Sequence, residues 1–142
     1  MTIWFDMDGT LADLYGQKGW LADLEEEREK PYRNARPLLN LQALARVLNR
    51  LQKQGHKIGI VSWLARGGSA EYGERVANAK REWLAEHLAS VHWDTINIMP
   101  YGIGKHIGRD GILFDDEEKN RKAWNGIAYD ETEIIKRLRA LK

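Results

Sequence analysis

Asp6 and Asp8 stand two residues apart at the end of the apolar run Ile3-Trp4-Phe5, in the segment Asp6-Met7-Asp8-Gly9-Thr10-Leu11. An apolar run that breaks into Asp-x-Asp-Gly-Thr reads as a buried strand ending in an acidic turn. The tip of such a strand is where open α/β sheets bind ligands. Two carboxylates held that close repel each other, and a cation, a shared proton or a phosphate to be handled makes them tolerable. Gly9 suits a chain that must turn sharply at that point.

Further polar groups fall at comparable places. Ser62 closes the apolar run Ile58-Gly59-Ile60-Val61, and Lys105 lies in the loop Tyr101-Gly102-Ile103-Gly104-Lys105-His106. Asp115 and Asp116 close Ile112-Leu113-Phe114. Each follows a strand-like run, so all would meet at one edge of a parallel sheet. Taken singly, each has a plainer reading. Asp6 and Asp8 cap a turn, Asp115 and Asp116 begin a helix, Ser62 is a turn hydroxyl, and Lys105 faces solvent. The shared placement and the order argue against that. The loop around Lys105 lacks the upstream glycine and the following Ser or Thr of a Walker phosphate loop. No two of His56, His87, His92 and His106 have metal-ligand spacing.

In this order the residues resemble the haloacid dehalogenase (HAD) superfamily of phosphohydrolases. Asp6-Met7-Asp8-Gly9-Thr10-Leu11 matches its first motif, Ser62 the second, Lys105 the third, and Asp115-Asp116 the acidic fourth. The likeness spans residues 3–116. It implies Mg²⁺-dependent hydrolysis of a phosphate monoester. Asp6 would be the nucleophile, forming an aspartyl-phosphate, and Asp8 the general acid and base. Ser62 and Lys105 would stabilise charge on the transferring oxygens. Mg²⁺ prefers oxygen ligands and would be held by Asp6, Asp115 and the backbone carbonyl of Asp8, with Asp116, Gly9 and Thr10 supporting them. Lys80, in mid-helix, is the alternative to Lys105.

The elements that must position these groups follow from hydrophobic patterning. Strands are predicted at residues 2–5, 57–61, 95–99, 111–114 and 126–129. They are mostly apolar rather than alternating, as in a parallel sheet covered on both faces. Helical periodicity marks 37–54, 70–88 and 130–141. Alternating strands and helices predict a doubly wound α/β sandwich forming a single domain over residues 1–142. Residues 12–36 break the rhythm as a small insertion, and no large cap domain is expected. Within it, Glu25-Glu26-Glu27-Arg28-Glu29-Lys30 reads as a solvated helix face that Pro31 ends.

Composition narrows the function. With 22 Lys+Arg against 21 Asp+Glu, the net charge is +1, which leaves no field to draw nucleic acid or a membrane. The chain has no cysteine, which excludes disulfides and thiolate metal sites. No apolar run approaches a membrane span and no signal peptide is visible, so a cytoplasmic enzyme acting on a small phosphorylated substrate is expected.

Residues 6–14 and 112–117 also resemble the smaller 5'-nucleotidases, including the deoxyribonucleotidase group. That closer likeness implies a nucleoside monophosphate stacked on Trp63, Trp20 or Tyr32, with Arg33, Arg36 or Arg66 holding a second anionic group. An open site also suits a phosphorylated macromolecule, which the net charge of +1 does nothing to favour. A receiver-like phosphoacceptor and an inactive binding domain on the same fold are the competing classes. Receivers carry their hydroxyl and lysine after the phosphorylated Asp, and there the acidic pair does not come last as it does here.

Overall fold

The computed structural model describes residues 1–142. The strands are β1 (Thr2–Phe5), the two-residue β2 (Ala12–Asp13) and β3 (Arg36–Pro37), β4 (Lys57–Trp63), β5 (Thr95–Met99), β6 (Ile112–Phe114) and β7 (Ile127–Tyr129). The helices are α1 (Trp20–Glu25), α2 (Lys30–Asn34), α3 (Leu41–Lys53), α4 (Ala70–His87), α5 (Glu118–Ala123) and α6 (Ile134–Ala140). Five strands form one sheet in the order β5-β4-β1-β6-β7, and every pairing in it is parallel. The chain moves outward from β1 to β4 and β5, then crosses back to β6. The strand order therefore reverses beside β1, the place where doubly wound sheets open a ligand crevice.

Successive side chains of a strand face opposite ways, and the two faces are unequal. Ile3, Phe5, Ile58, Ile60, Ile112 and Phe114 enter the main core, where α3, α4 and α6 contribute Leu44, Leu48, Trp83, Leu84, Ile134 and Leu138. Trp4, Val61 and Leu113 face the other way, into a small cluster closed by Trp124. Trp4 lies over Gly59, its partner in the register, where a Cβ would come within 2.6 Å of the indole. Glycine there lets the tryptophan lie flat on the strand.

The insertion is more structured than its composition suggests. β2 and β3 pair antiparallel and frame two short helices. Helix α3 therefore starts at Leu41 rather than at residue 37, because Arg36 and Pro37 are committed to that pairing. The Asn40 side chain accepts from the Ala43 amide as its cap, and Leu38, ahead of the helix, is exposed. The charge run is not a helix face. α1 ends at Glu25, Glu27 sits at φ 56°, and Pro31 opens α2 in the first-turn position where its missing N–H costs nothing. The C-terminal helix begins at Ile134, after a 3-10 turn over Glu131–Glu133.

The insertion is fastened to the start of α4. Glu27 accepts from the Ser69 amide and hydroxyl at 2.8 and 2.7 Å, Arg75 pairs with Glu29 at 3.3 Å, and the Tyr72 hydroxyl donates to the Arg28 carbonyl. No helix is long and apolar enough to cross a membrane.

Candidate active site

β1 stops at Phe5, and the Asp6 amide makes one last ladder bond to the Phe114 carbonyl. The chain then winds around one acceptor: the amides of Thr10, Leu11 and Ala12 all donate to the Met7 carbonyl. Gly9 has φ 82°, and a Cβ there would lie 2.4 Å from Asp116 Oδ2 and 3.0 Å from the Tyr15 ring. Both backbone conformation and space call for glycine. Thr10 ties the turn to β6. Its hydroxyl accepts from the Asp116 amide, and its single proton lies between Asp6 Oδ2 at 3.0 Å and Asp116 Oδ1 at 3.2 Å.

Two buried ammonium groups organise the carboxylates. Lys105 Nζ donates to Asp6 Oδ1 at 2.9 Å and to Asp115 Oδ2 at 2.8 Å. Lys80 Nζ donates to Asp8 Oδ2 at 2.8 Å, Ser62 Oγ at 2.7 Å and the Trp63 carbonyl at 2.6 Å. Asp115 is fully buried, and it also accepts from the Glu117 amide and from Asn120. Four carboxylates thus face two ammonium groups, two charges short of balance when all are ionised.

That imbalance appears in the ionisation of the acids. Burial raises Asp116, helped by its hydrogen bond to Asp6, to about 8. Burial and then the Asp6 charge raise Asp115 to about 6, against the pull of Lys105. Burial also raises Asp8, with Lys80 opposing. Asp6 goes the other way: burial would raise it, but Lys105, its hydrogen bonds and Lys80 together hold it below the ordinary carboxylate range. A divalent cation would restore neutrality here. Asp6, Asp115 and Asp116 each offer an oxygen, all mutually within 4.8 Å, and hard carboxylate oxygens suit Mg²⁺.

The acids nevertheless divide their duties differently from the sequence expectation. The Asp8 carboxylate turns to Lys80, which leaves its backbone carbonyl as the group expected to face a metal. Asp115 is the acid that holds Lys105, and Asp116 joins the cluster on the more accessible side. The choice between Lys80 and Lys105 dissolves, because both ammonium groups reach the acids. Asp115 and Asp116 do not begin a helix: α5 starts at Glu118, and Glu117 supplies no side-chain cap.

A cavity of about 410 Å³ opens onto Asp6, Asp8 and Lys105, and ten of its sixteen lining residues are hydrophobic. Trp20, Tyr32, Trp63 and Arg66 line it as the sequence suggested. Trp63 is 8% exposed. Its Nε1 donates to the Ile103 carbonyl, Lys105 Nζ lies 4.9 Å from its ring, and Tyr101 packs against it at 4.9 Å. The Arg66 guanidinium sits 5.8 Å over Tyr101. Arg36 is not in this cavity. It is exposed on β3, beside a separate polar depression with Asp13, Lys18 and Asn34. Arg33 is also elsewhere, paired with Glu29 and Glu82.

Sequence reasoning overlooked Tyr15, Leu21, Leu24 and Tyr101 as wall residues, and Asn120 as a support of Asp115. Periodicity did hold one signal for Lys80. Val76, Ala79, Trp83 and Leu84 are the buried stripe of α4, and Lys80 falls within it.

No family model and no curated protein matches this chain. Among solved structures, the chain resembles the D,D-heptose 1,7-bisphosphate phosphatase of Burkholderia thailandensis. The TM-score is 0.50 at 11% identity, over 99% of each chain. At that identity the likeness speaks for the fold alone: an α/β architecture with a five-stranded parallel sheet flanked by helices and no large cap domain.

Proposed function

We propose that this chain is a Mg²⁺-dependent phosphatase that hydrolyses a nucleoside monophosphate through an aspartyl-phosphate on Asp6. One observation carries the reading: a low-pKa carboxylate lies at the floor of an apolar cavity, inside a cluster of acids two positive charges short of neutrality. Asp6, Asp115 and Asp116 would hold Mg²⁺, which when bound would screen the dianionic ester from the nucleophile and orient it.

The chain's own groups account for the remaining steps. Lys105 keeps Asp6 ionised and pointed at the cavity. Asp6 attacks phosphorus as the ester P–O bond breaks. Asp8, held by Lys80 through Oδ2, passes a proton to the leaving oxygen. It then takes one from the water that splits the Asp6–phosphorus bond. Its raised pKa suits the first of these tasks. Lys105, which lines the cavity, stabilises the transferring oxygens, and Lys80 positions Asp8 and Ser62. A proton donor for the leaving group is what turnover needs and a receiver-like phosphoacceptor does not.

The wall favours a flat substrate group. Tyr15, Trp20, Tyr32, Trp63 and Tyr101 all line the cavity, and a base is well suited to stack among them. The test is a screen of phosphate monoesters with and without Mg²⁺, with Asp6→Asn as control. Mg²⁺-dependent hydrolysis of nucleoside monophosphates, abolished by that substitution, is expected. Equal activity without Mg²⁺, or in Asp6→Asn, would refute the reading.

A further inference from the structure

The acidic stretch of the insertion pairs almost completely. Asp23 meets Arg28 and Lys30, Glu26 meets Arg28 at 2.9 Å, Glu27 holds Ser69, and Glu29 meets Arg33 and Arg75. Glu25 alone forms no ion pair or hydrogen bond, and it is the one of these acids that lines the active-site cavity. It is also the only charged residue the insertion contributes there.

Its position along α1 is informative. Trp20, at the start of the helix, packs on Tyr15 at 5.0 Å, and Tyr15 borders Gly9 and Asp116. That end adjoins the phosphate site. Five residues on, Glu25 is displaced by about 7.5 Å along the axis. The other unpaired acid of the cavity, Glu117, directly follows Asp116 and belongs to the reacting end.

We propose that Glu25 is a specificity-determining residue that selects a guanine base, a refinement that rests on the nucleotidase reading above. A carboxylate offers two acceptors and no donor. Guanine presents two adjacent donors, N1–H and the N2 amine, which both oxygens can receive. Adenine and cytosine set one amine beside a ring acceptor that the carboxylate repels, and thymine flanks its single N–H with two carbonyls. The aromatic wall stacks any base. Glu25 supplies the edge contact that stacking cannot.

The test compares kcat/KM for the monophosphates of guanosine, inosine, adenosine and thymidine, with p-nitrophenyl phosphate as a substrate lacking any base. Inosine keeps N1–H and lacks the amine. The native protein is expected to favour the guanosine ester over the inosine ester by about tenfold. In Glu25→Gln and Glu25→Ala that ratio should fall toward one, with the change in KM. Glu25 is exposed and unpaired, so neither substitution removes a contact that folding uses. No guanine preference in the native protein, or a preference that survives both substitutions, overturns the assignment and leaves the phosphatase reading intact. Failure to hydrolyse even p-nitrophenyl phosphate with Mg²⁺ overturns both.

Discussion

The tips of β1, β4 and β6 and the insertion that faces them across the cavity are built from opposite materials. Around the strand tips, four carboxylates and the two lysines that reach them from α4 and the loop after β5 are packed within hydrogen-bond distance. Asp6, Asp115 and both lysines are buried, and Asp8 and Asp116 are half-buried. In the insertion, apolar and aromatic side chains face the cavity, and most charges between Asp23 and Arg33 pair with a neighbour or with α4. The tips therefore depend on individual atoms, whereas the insertion depends on summed contact. Substitutions at the tips should abolish chemistry outright, and those in the wall should mainly shift affinity.

The sharpest division is expected from Asp6→Asn, which keeps the fold and lowers kcat by at least about a thousandfold, read with a monoester and Mg²⁺. A wall substitution of equal effect would break the contrast. Lys105→Met comes next. It leaves Asp6 and Asp115 facing each other without their shared cation, so turnover should fall about a hundredfold. The metal-free protein should also lose about 3 kcal/mol in a urea melt, and Mg²⁺ should restore part of that. Lys80→Met should lower turnover by a similar factor while Mg²⁺ binding survives, since Lys80 contacts Asp8 and not the three clustered acids.

The strand tips were largely legible in the sequence and the insertion was not, and the reason is physical. A parallel strand is a local apolar run, and whatever follows it lands at the sheet edge. Asp6, Asp8, Ser62, Lys105, Asp115 and Asp116 could thus be assembled on one edge without coordinates. Their division of labour could not be read, because adjacent residues such as Asp115 and Asp116 differ only in how the strand end turns. Lysine on a helix usually faces water, but Lys80 falls in the buried stripe of α4. The insertion depends on contacts distant in sequence. Pro37 pairs with Ala12, and Glu27 holds Ser69. Neither partner is visible to periodicity, which therefore extends α3 back to residue 37, ends a helix at Pro31 and leaves nothing to show that Arg36 lies outside the cavity.

Smaller effects sharpen the same contrast. Because burial raises Asp116 to about 8 and Asp115 to about 6, these acids carry protons that Mg²⁺ must displace. Mg²⁺ affinity should therefore weaken as pH falls below about 8, by about tenfold per unit for each proton displaced. Calorimetry in buffers of different ionisation enthalpy would show the released proton, and a pH-independent affinity would contradict the shared cluster. On the wall, Tyr101→Ala should raise KM for a nucleotide by about tenfold with a smaller change in kcat. Ser69→Ala removes the cap of α4, where the side chain accepts from the Tyr72 amide. It should cost about 1 kcal/mol of stability and shift the thermal midpoint without altering kcat.

The most direct measurement is an acid quench of the protein during turnover of a monoester with Mg²⁺, followed by peptide mass spectrometry. One phosphoryl group on the peptide carrying Asp6, absent in Asp6→Asn, is the expected result. Steady hydrolysis with no phosphoryl adduct, or with the adduct on any other residue, would contradict a covalent route through Asp6.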